Sequence, residues 1–325
     1  MGNVAAALRE RGCTVTGSDE RVYPPMSDFL RARGIPLTEP YRAENLPNDA
    51  EIVVVGNAIK RGNPEVEAVL NRKLYYLSLP EVLKEFFLRG RHNLVVTGTH
   101  GKTTTSALLT WMLTVGELEP GYVIGGLPRN LGQGALFNDS KHFVIEGDEY
   151  DSAFFDKRSK FIHYLPELLV INNIEFDHAD IFDDLAAVKL SFRRLVNIVP
   201  QNGMILLNGD DPNCVEVAQD CLAPIVKWVS RKIARSEFGM CPMTSHGSDF
   251  TLGETTFELP PLIGEFNVRN AAMAAAAARF YGLTPGSDPD RPHEFRRHRA
   301  PAGSARESAG RDGDRRFRTS SDGDS

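Results

Sequence analysis

Gly98 and Gly101 lie close together, and Lys102-Thr103-Thr104-Thr105 follows directly. Glycines let a backbone wrap closely round an anion, and the free N–H groups at a helix start point at whatever is wrapped. The Lys102 ammonium adds a point charge for terminal phosphates, and the Thr103 hydroxyl is placed to reach a divalent cation. An apolar run, Asn93 to Val96, enters the glycines, and an amphipathic stretch, Ser106 to Leu113, leaves them. Strand, glycine loop and helix in that order make a phosphate-binding loop. Its expected nucleotide contacts are Gly98, Thr99, His100, Gly101, Lys102, Thr103 and Thr104. The spacing departs from Gly-x-x-x-x-Gly-Lys, which would need a glycine at Val96. ATP with Mg2+ is the ligand this chemistry expects.

Two further apolar runs end in chemically able groups. Phe143-Val144-Ile145 leads into Glu146-Gly147-Asp148-Glu149, and Leu169-Val170-Ile171 leads into Asn172-Asn173-Ile174-Glu175-Phe176-Asp177-His178. In open parallel sheets the ligand sits at the carboxyl ends of the strands. Glu146 beside Thr103 would complete a hard oxygen site for Mg2+, and His178 suits a second metal or a phosphate oxygen. Alone, an acidic cluster after a strand is usually a solvated turn, and a lone histidine is usually structural. Three successive strand ends carrying a lysine, a carboxylate and a histidine point instead to one site.

The elements that must hold these groups follow an α/β pattern. Met1 to Gly12 reads as a helix, Cys13 to Gly17 as a strand with an acidic turn, and Ile52 to Gly56 as a stronger strand. Helices follow near Pro64 to Asn71 and Pro80 to Leu88. The chain opens inside a helix, whereas a dinucleotide-type unit opens with a strand and a glycine loop. The expectation is a Rossmann-like domain over 1–90 that lacks its first strand, then a P-loop-type ATPase domain with a parallel sheet over 91–285. Its strands are Asn93–Thr97, His142–Ile145, Leu168–Asn172 and Met204–Leu207, and an alanine-rich helix after Asn267 packs on the sheet.

Composition sets the outer bounds. The 325 residues carry a formal charge of −6, which argues against nucleic acid as the main partner. No apolar run approaches the ~20 residues that span a bilayer, so a cytoplasmic setting is expected. Cys13, Cys214, Cys221 and Cys241 lack metal-ligand spacing and read as free thiols. No protein partner is indicated.

The motifs together resemble the Mur ligase family, the ATP-dependent amide-forming enzymes of peptidoglycan assembly. The resemblance rests on 98–105, on Glu146-Gly147-Asp148-Glu149, on Asn173 to His178, and on Gly264-Glu265-Phe266-Asn267-Val268-Arg269-Asn270-Ala271-Ala272. Within the family, Gly17-Ser18-Asp19 with Tyr23-Pro24-Pro25-Met26, and Gly56 to Glu65, resemble the branch that joins a murein tripeptide to UDP-N-acetylmuramate in cell-wall recycling. The branch that adds L-alanine is the alternative. The resemblance implies phosphorylation of the muramoyl carboxylate and attack of the tripeptide amine on the acyl phosphate. It implies Lys102 and His178 as catalytic groups and Thr103, Glu146 and His178 as metal ligands. Asn267 and Asn270 fall on the adenine side, and Asp19 on the UDP end. Phe266 stands where the family often has histidine. Lys189 is the one lysine near the second metal, but its spacing from His178 does not suit a carbamylated ligand.

The resemblance implies a third domain after the alanine-rich helix, and the expectation here is that an arginine-rich stretch stands in its place. Gly286 to Ser325 instead hold nine arginines and no Lys, Leu, Ile, Val or Met, a composition that cannot build a core and reads as disorder. A single-base frameshift just after Pro285 would account for this, and a native arginine-rich tail is the alternative. Arg315 to Ser325 can be encoded so that the frame one base later reads DDFAHHPTAI, similar to the opening of that third domain. The chain is therefore expected to be inactive as a ligase, a nucleotide-binding remnant.

Overall fold

The computed structural model describes residues 1–177, 179–228, 238–240, 248–252, 255–259, 265–285, 295–297 and 317–320. Two compact units emerge. The first begins with α1 (Gly2–Glu10), β1 (Val15–Ser18), α2 (Met26–Arg31), β2 (Leu37–Thr38), β3 (Ile52–Val55), α3 (Pro64–Asn71), β4 (Tyr76–Ser78) and α4 (Leu79–Leu83). The second opens with β5 (His92–Thr97), α5 (Lys102–Val115), β6 (Gly121–Val123), β7 (Ala135–Leu136) and β8 (His142–Glu146). The hairpin β9 (Asp151–Ala153) and β10 (Asp156–Ser159) belongs to the first unit. The second then resumes with β11 (Leu168–Ile171), α6 (Leu185–Val196), β12 (Met204–Asn208), α7 (Pro212–Val217) and β13 (Ile225–Trp228). It continues through β14 (Phe238–Met240), β15 (Ser248–Leu252), β16 (Thr255–Leu259), α8 (Glu265–Phe280), β17 (Leu283–Pro285) and β18 (Phe295–Arg297). The last element, β19 (Phe317–Ser320), lies in the first unit. No helix among the described residues is long and apolar enough to cross a membrane.

Local signals in the first unit act as their chemistry dictates. Asn63 caps α3 by accepting from the N–H groups of Glu65 and Val66, with Pro64 pre-set for the first helical position. Ser78 and Glu81 form a reciprocal capping box at α4. Residues 80–88, expected as one helix, break into α4 and a π-helical turn over Lys84–Leu88. The sheet order is β2-β1-β19-β3-β4, with every pair parallel.

That order includes part of the arginine-rich stretch. Phe317–Ser320 sit between β1 and β3, Phe317 opposite both Val15 and Ile52 and Thr319 opposite both Gly17 and Val54. This is the position of the strand expected to be lacking. Apart from each other, β1 and β3 would each bury an edge of unpaired N–H and C=O groups. A ladder is made of backbone, so a segment without aliphatic side chains can supply it. Likewise Phe295–Arg297 pair antiparallel with β17. Composition spoke to core-building, and these two strands need only hydrogen bonds. The rest of 286–325 lies outside the described residues.

In the second unit the order is β13-β12-β11-β5-β8-β6-β7, parallel throughout except for β7. β5 and β11 are near-continuous apolar runs because both faces of a parallel sheet are covered. Leu94, Val96, Val144, Leu168 and Val170 share a core with Leu109 and Leu113 of α5 and with the alanines of α8. Alanine lets α8 approach closely, and it does so against both α5 and the sheet, as expected. Cys13, Cys214 and Cys221 are free thiols, while Cys241 lies outside the described residues. Burial, followed by the Asp211 carboxylate, pushes the Cys214 thiol well above its usual range.

If β19 completes the first sheet, Thr319→Pro should open it, because proline removes a ladder donor from a central strand. Hydrogen–deuterium exchange of the β1 and β3 amides should accelerate, with a loss of about 1–3 kcal/mol of local stability. Unchanged exchange would place that strand elsewhere.

Candidate phosphate and cation site

The register of the central sheet sets the site. Val96 of β5 lies opposite Glu146 of β8, and Thr97 lies opposite Ile171 of β11. The residues that follow each strand therefore emerge side by side at the carboxyl edge. The β5–β8 pairing continues past the strands, since the Gly147 N–H donates to Val96 O at 2.7 Å and the Thr97 hydroxyl donates to Gly147 O at 3.0 Å. Gly147 is held there by space: a Cβ would stand 2.9 Å from Val95 Cγ1.

The glycine loop requires its glycines. Gly98 has φ +132° and a Cβ would come 2.9 Å from the Asn173 amide nitrogen. Gly101 has φ +81° and a Cβ would stand 2.3 Å from Asn270 Oδ1. Both conformations belong to the region that disfavours side chains. Gly101 starts α5, whose first turn contains no acidic residue.

Lys102 folds back over this loop. Its ammonium donates to Gly98 O at 2.9 Å, to Thr99 O at 3.2 Å and to Glu149 Oε1 at 3.0 Å, with Oε2 at 2.9 Å. The Thr103 hydroxyl donates to Glu146 Oε1 at 2.9 Å. Glu146 Oε2 accepts from the Gly125 N–H at 2.7 Å. A hydroxyl and a carboxylate oxygen thus converge as hard donors of the kind Mg2+ prefers. Burial, then the Asp148 and Glu146 charges, raise the Tyr164 phenol beyond its usual range, so it stays protonated beside them.

The loop after β11 is stitched to the glycine loop. The Thr99 N–H donates to Asn173 O at 3.0 Å and the His100 N–H to Asn173 Oδ1 at 2.7 Å, while Asn173 Nδ2 returns a bond to His100 O at 3.1 Å. The Thr99 hydroxyl donates to Glu175 O and accepts from the Glu175 N–H. Asn172 Nδ2 donates to the Thr105 hydroxyl at 2.9 Å. Beside this seam lies a cavity of about 250 Å³, lined by Asn173, Asp211, Phe266, Arg269, Asn270 and Met273 among others. Asp211 shapes its wall, accepting from the N–H groups of Ile174 and Asn213.

Of the residues singled out by sequence, Gly98 to Thr104, Glu146 and Asn270 come together here. Asn267 is half-buried on α8 and does not line the cavity. His178 lies outside the described residues, so its placement is not part of this geometry. Asp19 stands in the first unit, directly after β1, where its Oδ1 accepts from the Arg21 N–H. Lys189 is held by Glu216 at 2.7 Å. Sequence reasoning missed Asn173, Glu149, Gly125 and Asp211. Asn173 and Glu149 stood inside quoted motifs, but nothing in one sequence separates them from their neighbours. Gly125 acts through its backbone and leaves no side-chain signal.

Comparison with known proteins decides the family. Residues 1–91 match the Mur ligase family catalytic domain, and residues 96–278 match the Mur ligase middle domain. The chain belongs to the Mur ligase family. It is 46% identical over 292 residues to the UDP-N-acetylmuramate–L-alanyl-γ-D-glutamyl-meso-2,6-diaminoheptandioate ligase of Escherichia coli, covering 88% of this chain and 63% of that one. It is 33% identical to the UDP-N-acetylmuramate–L-alanine ligase of Salinibacter ruber, covering 86% of this chain and 58% of that one. Among solved structures, UDP-N-acetylmuramate:L-alanyl-γ-D-glutamyl-meso-diaminopimelate ligase from Neisseria meningitides superposes with a TM-score of 0.78 at 42% identity, covering 86% of this chain and 89% of that one. The chain spans about 63% of the length of the tripeptide-ligase relatives from Escherichia coli and Haemophilus influenzae.

Gly101→Ala should test the loop directly. Strain at φ +81° and the contact with Asn270 should loosen the glycine turn while the sheet survives. Circular dichroism should be unchanged and nucleotide affinity should fall by about 1–3 kcal/mol. Undiminished affinity would remove the loop from the site.

Proposed function

We propose that this chain carries the nucleotide-binding and UDP-sugar-binding parts of an ATP-dependent amide ligase. That ligase joins L-alanyl-γ-D-glutamyl-meso-diaminopimelate to UDP-N-acetylmuramate in bacterial peptidoglycan recycling. The observation that carries the reading is the convergence of Lys102, Thr103 and Glu146 at the ends of two adjacent parallel strands. Higher identity to the tripeptide ligase than to the L-alanine ligase favours the tripeptide as amine.

The residues fit the groups this chemistry requires. Thr103 Oγ1 and Glu146 Oε1 would hold Mg2+, and the Gly125 N–H keeps the Glu146 carboxylate turned towards Thr103. ATP, when bound, supplies the phosphoryl group that activates the muramoyl carboxylate. Lys102 would neutralise charge on the terminal phosphates, and the N–H groups of the loop would orient them. His178 would serve a second cation and the transferring group. Asn270, with Asn267 nearby on α8, would face the nucleoside from the cavity side. In the first unit Asp19 follows a parallel strand, the position from which an acid reaches a ribose hydroxyl. The setting would be cytoplasmic, with no role for nucleic acid, a membrane or a protein partner.

A second reading concerns these 325 residues by themselves, which span about 63% of the length of the tripeptide-ligase relatives. A family member closes its third domain over the nucleotide and the incoming amine, and proximity is a large part of catalysis. On this reading the 325 residues bind nucleotide without ligating.

Calorimetry on the purified chain should show ATP binding that depends on Mg2+. Lys102→Met should weaken it by about 1.5–3 kcal/mol, the usual worth of a hydrogen bond to a charged group. Glu146→Gln should remove the Mg2+ dependence. No detectable ATP binding would overturn the ligase reading. Release of ADP with UDP-N-acetylmuramate and the tripeptide would overturn the non-ligating one.

A further inference from the structure

The Lys102 ammonium has three protons, and three acceptors already take them: two carbonyls of its own loop and the Glu149 carboxylate. The Lys102 side chain is 14% exposed and that of Glu149 is 3% exposed. The loop's cation is therefore neutralised from within, in the place where a phosphate would have to meet it. The carbonyls of Gly98 and Thr99 belong to the loop backbone and stay with it. Glu149 is the exchangeable acceptor, because it reaches Lys102 as a side chain from the loop after β8.

We propose that Glu149 is a positioning residue that acts as an internal competitor for phosphate, holding Lys102 until a sufficiently charged anion displaces it. This rests on the nucleotide reading above and deepens it. A dianionic or weaker ligand, such as inorganic phosphate or a nucleoside monophosphate, gains too little from Lys102 to replace a buried carboxylate partner. A triphosphate carries enough charge to make the exchange. The same carboxylate then faces the bound phosphates and repels them, so both effects lower affinity in the presence of Glu149. Its function is to keep the loop cation neutral until nucleotide arrives, at a cost in affinity. Gly125 and Thr103 hold Glu146 at the neighbouring position, so the two carboxylates divide the work, Glu146 towards the cation and Glu149 towards the lysine.

Glu149→Gln keeps an acceptor for Lys102 and removes the charge, so the fold is retained. Calorimetry on the full chain should show MgATP bound about five- to ten-fold more tightly by this variant. MgATP should gain at least as much as AMP and inorganic phosphate, because it meets the full cost of displacing the carboxylate and is repelled by it most. In a Lys102→Met background the same change should give a clearly smaller gain, because only the repulsion is left to remove. A purely structural glutamate would instead weaken all three ligands on mutation. Equal or weaker MgATP binding by Glu149→Gln, or an identical gain without Lys102, would overturn the proposal. Hydrogen–deuterium exchange over 97–103 without ligand is read in parallel and should rise in Glu149→Gln. If the unaltered chain binds no ATP, the nucleotide reading falls, and unchanged exchange would separately refute the hold of Glu149 on the loop.

Discussion

The parallel register of β5 with β8 and β11 is the constraint on which the second unit depends. A shift of one residue in either pairing would turn Glu146 or Asn172 to the opposite face of the sheet. Register is set by burial on both faces: Leu94, Val95, Val96, Val144, Ile145, Leu169 and Val170 are all inaccessible to solvent. The glycine loop does not find its partners by its own conformation. It is delivered to them by strands whose side chains have nowhere else to go.

The two loops then fix each other. Asn173 closes a ring of hydrogen bonds with Thr99 and His100, and Glu175 exchanges two with Thr99. Gly98 lies so close to Asn173 that no side chain fits between them. A loop of glycines would otherwise have much conformational entropy to lose on binding an anion. Here that loss is taken at folding, by ordinary backbone and carboxamide bonds, so the N–H groups are preorganised before any ligand arrives.

The sequence made the strands of the central sheet and the chemistry at their ends legible because both follow from local pattern. Apolar runs of three or four residues bounded by glycine, acid or asparagine have few other readings. Edge strands such as β2 and β7 were not legible, being two residues long and dependent on neighbours for their definition. The hairpin over Asp151–Ser159 was placed with the central domain by continuity of chain, yet it packs in the first unit, where Tyr76 meets Phe155 edge to face. The strand at Phe317–Ser320 was illegible for a different reason. Arginine-rich composition reports the absence of a core, but a slot between two buried strands selects for backbone, which every residue carries.

Both units are built from parallel strands followed by helices, yet their helix starts differ in what they can accept. At α3 the carboxylate of Glu65, itself 4% exposed, accepts from the Ser18 hydroxyl at 2.5 Å and from Asn45 Nδ2 at 2.8 Å, beside the positive end of its own helix. The N–H groups of Glu65 and Val66 at that end are taken by Asn63, and the Glu65 carboxylate stays with the helix that carries it. At α5 the first turn carries no acid, and the neighbouring carboxylates come from the loop after β8. They are held by Lys102 and Thr103, the two side chains that chemistry assigns to phosphate and cation. An acid fixed in the helix makes structure. An acid lent from the next strand reaches Lys102 and Thr103 through side-chain contacts, and that difference distinguishes the two helix starts.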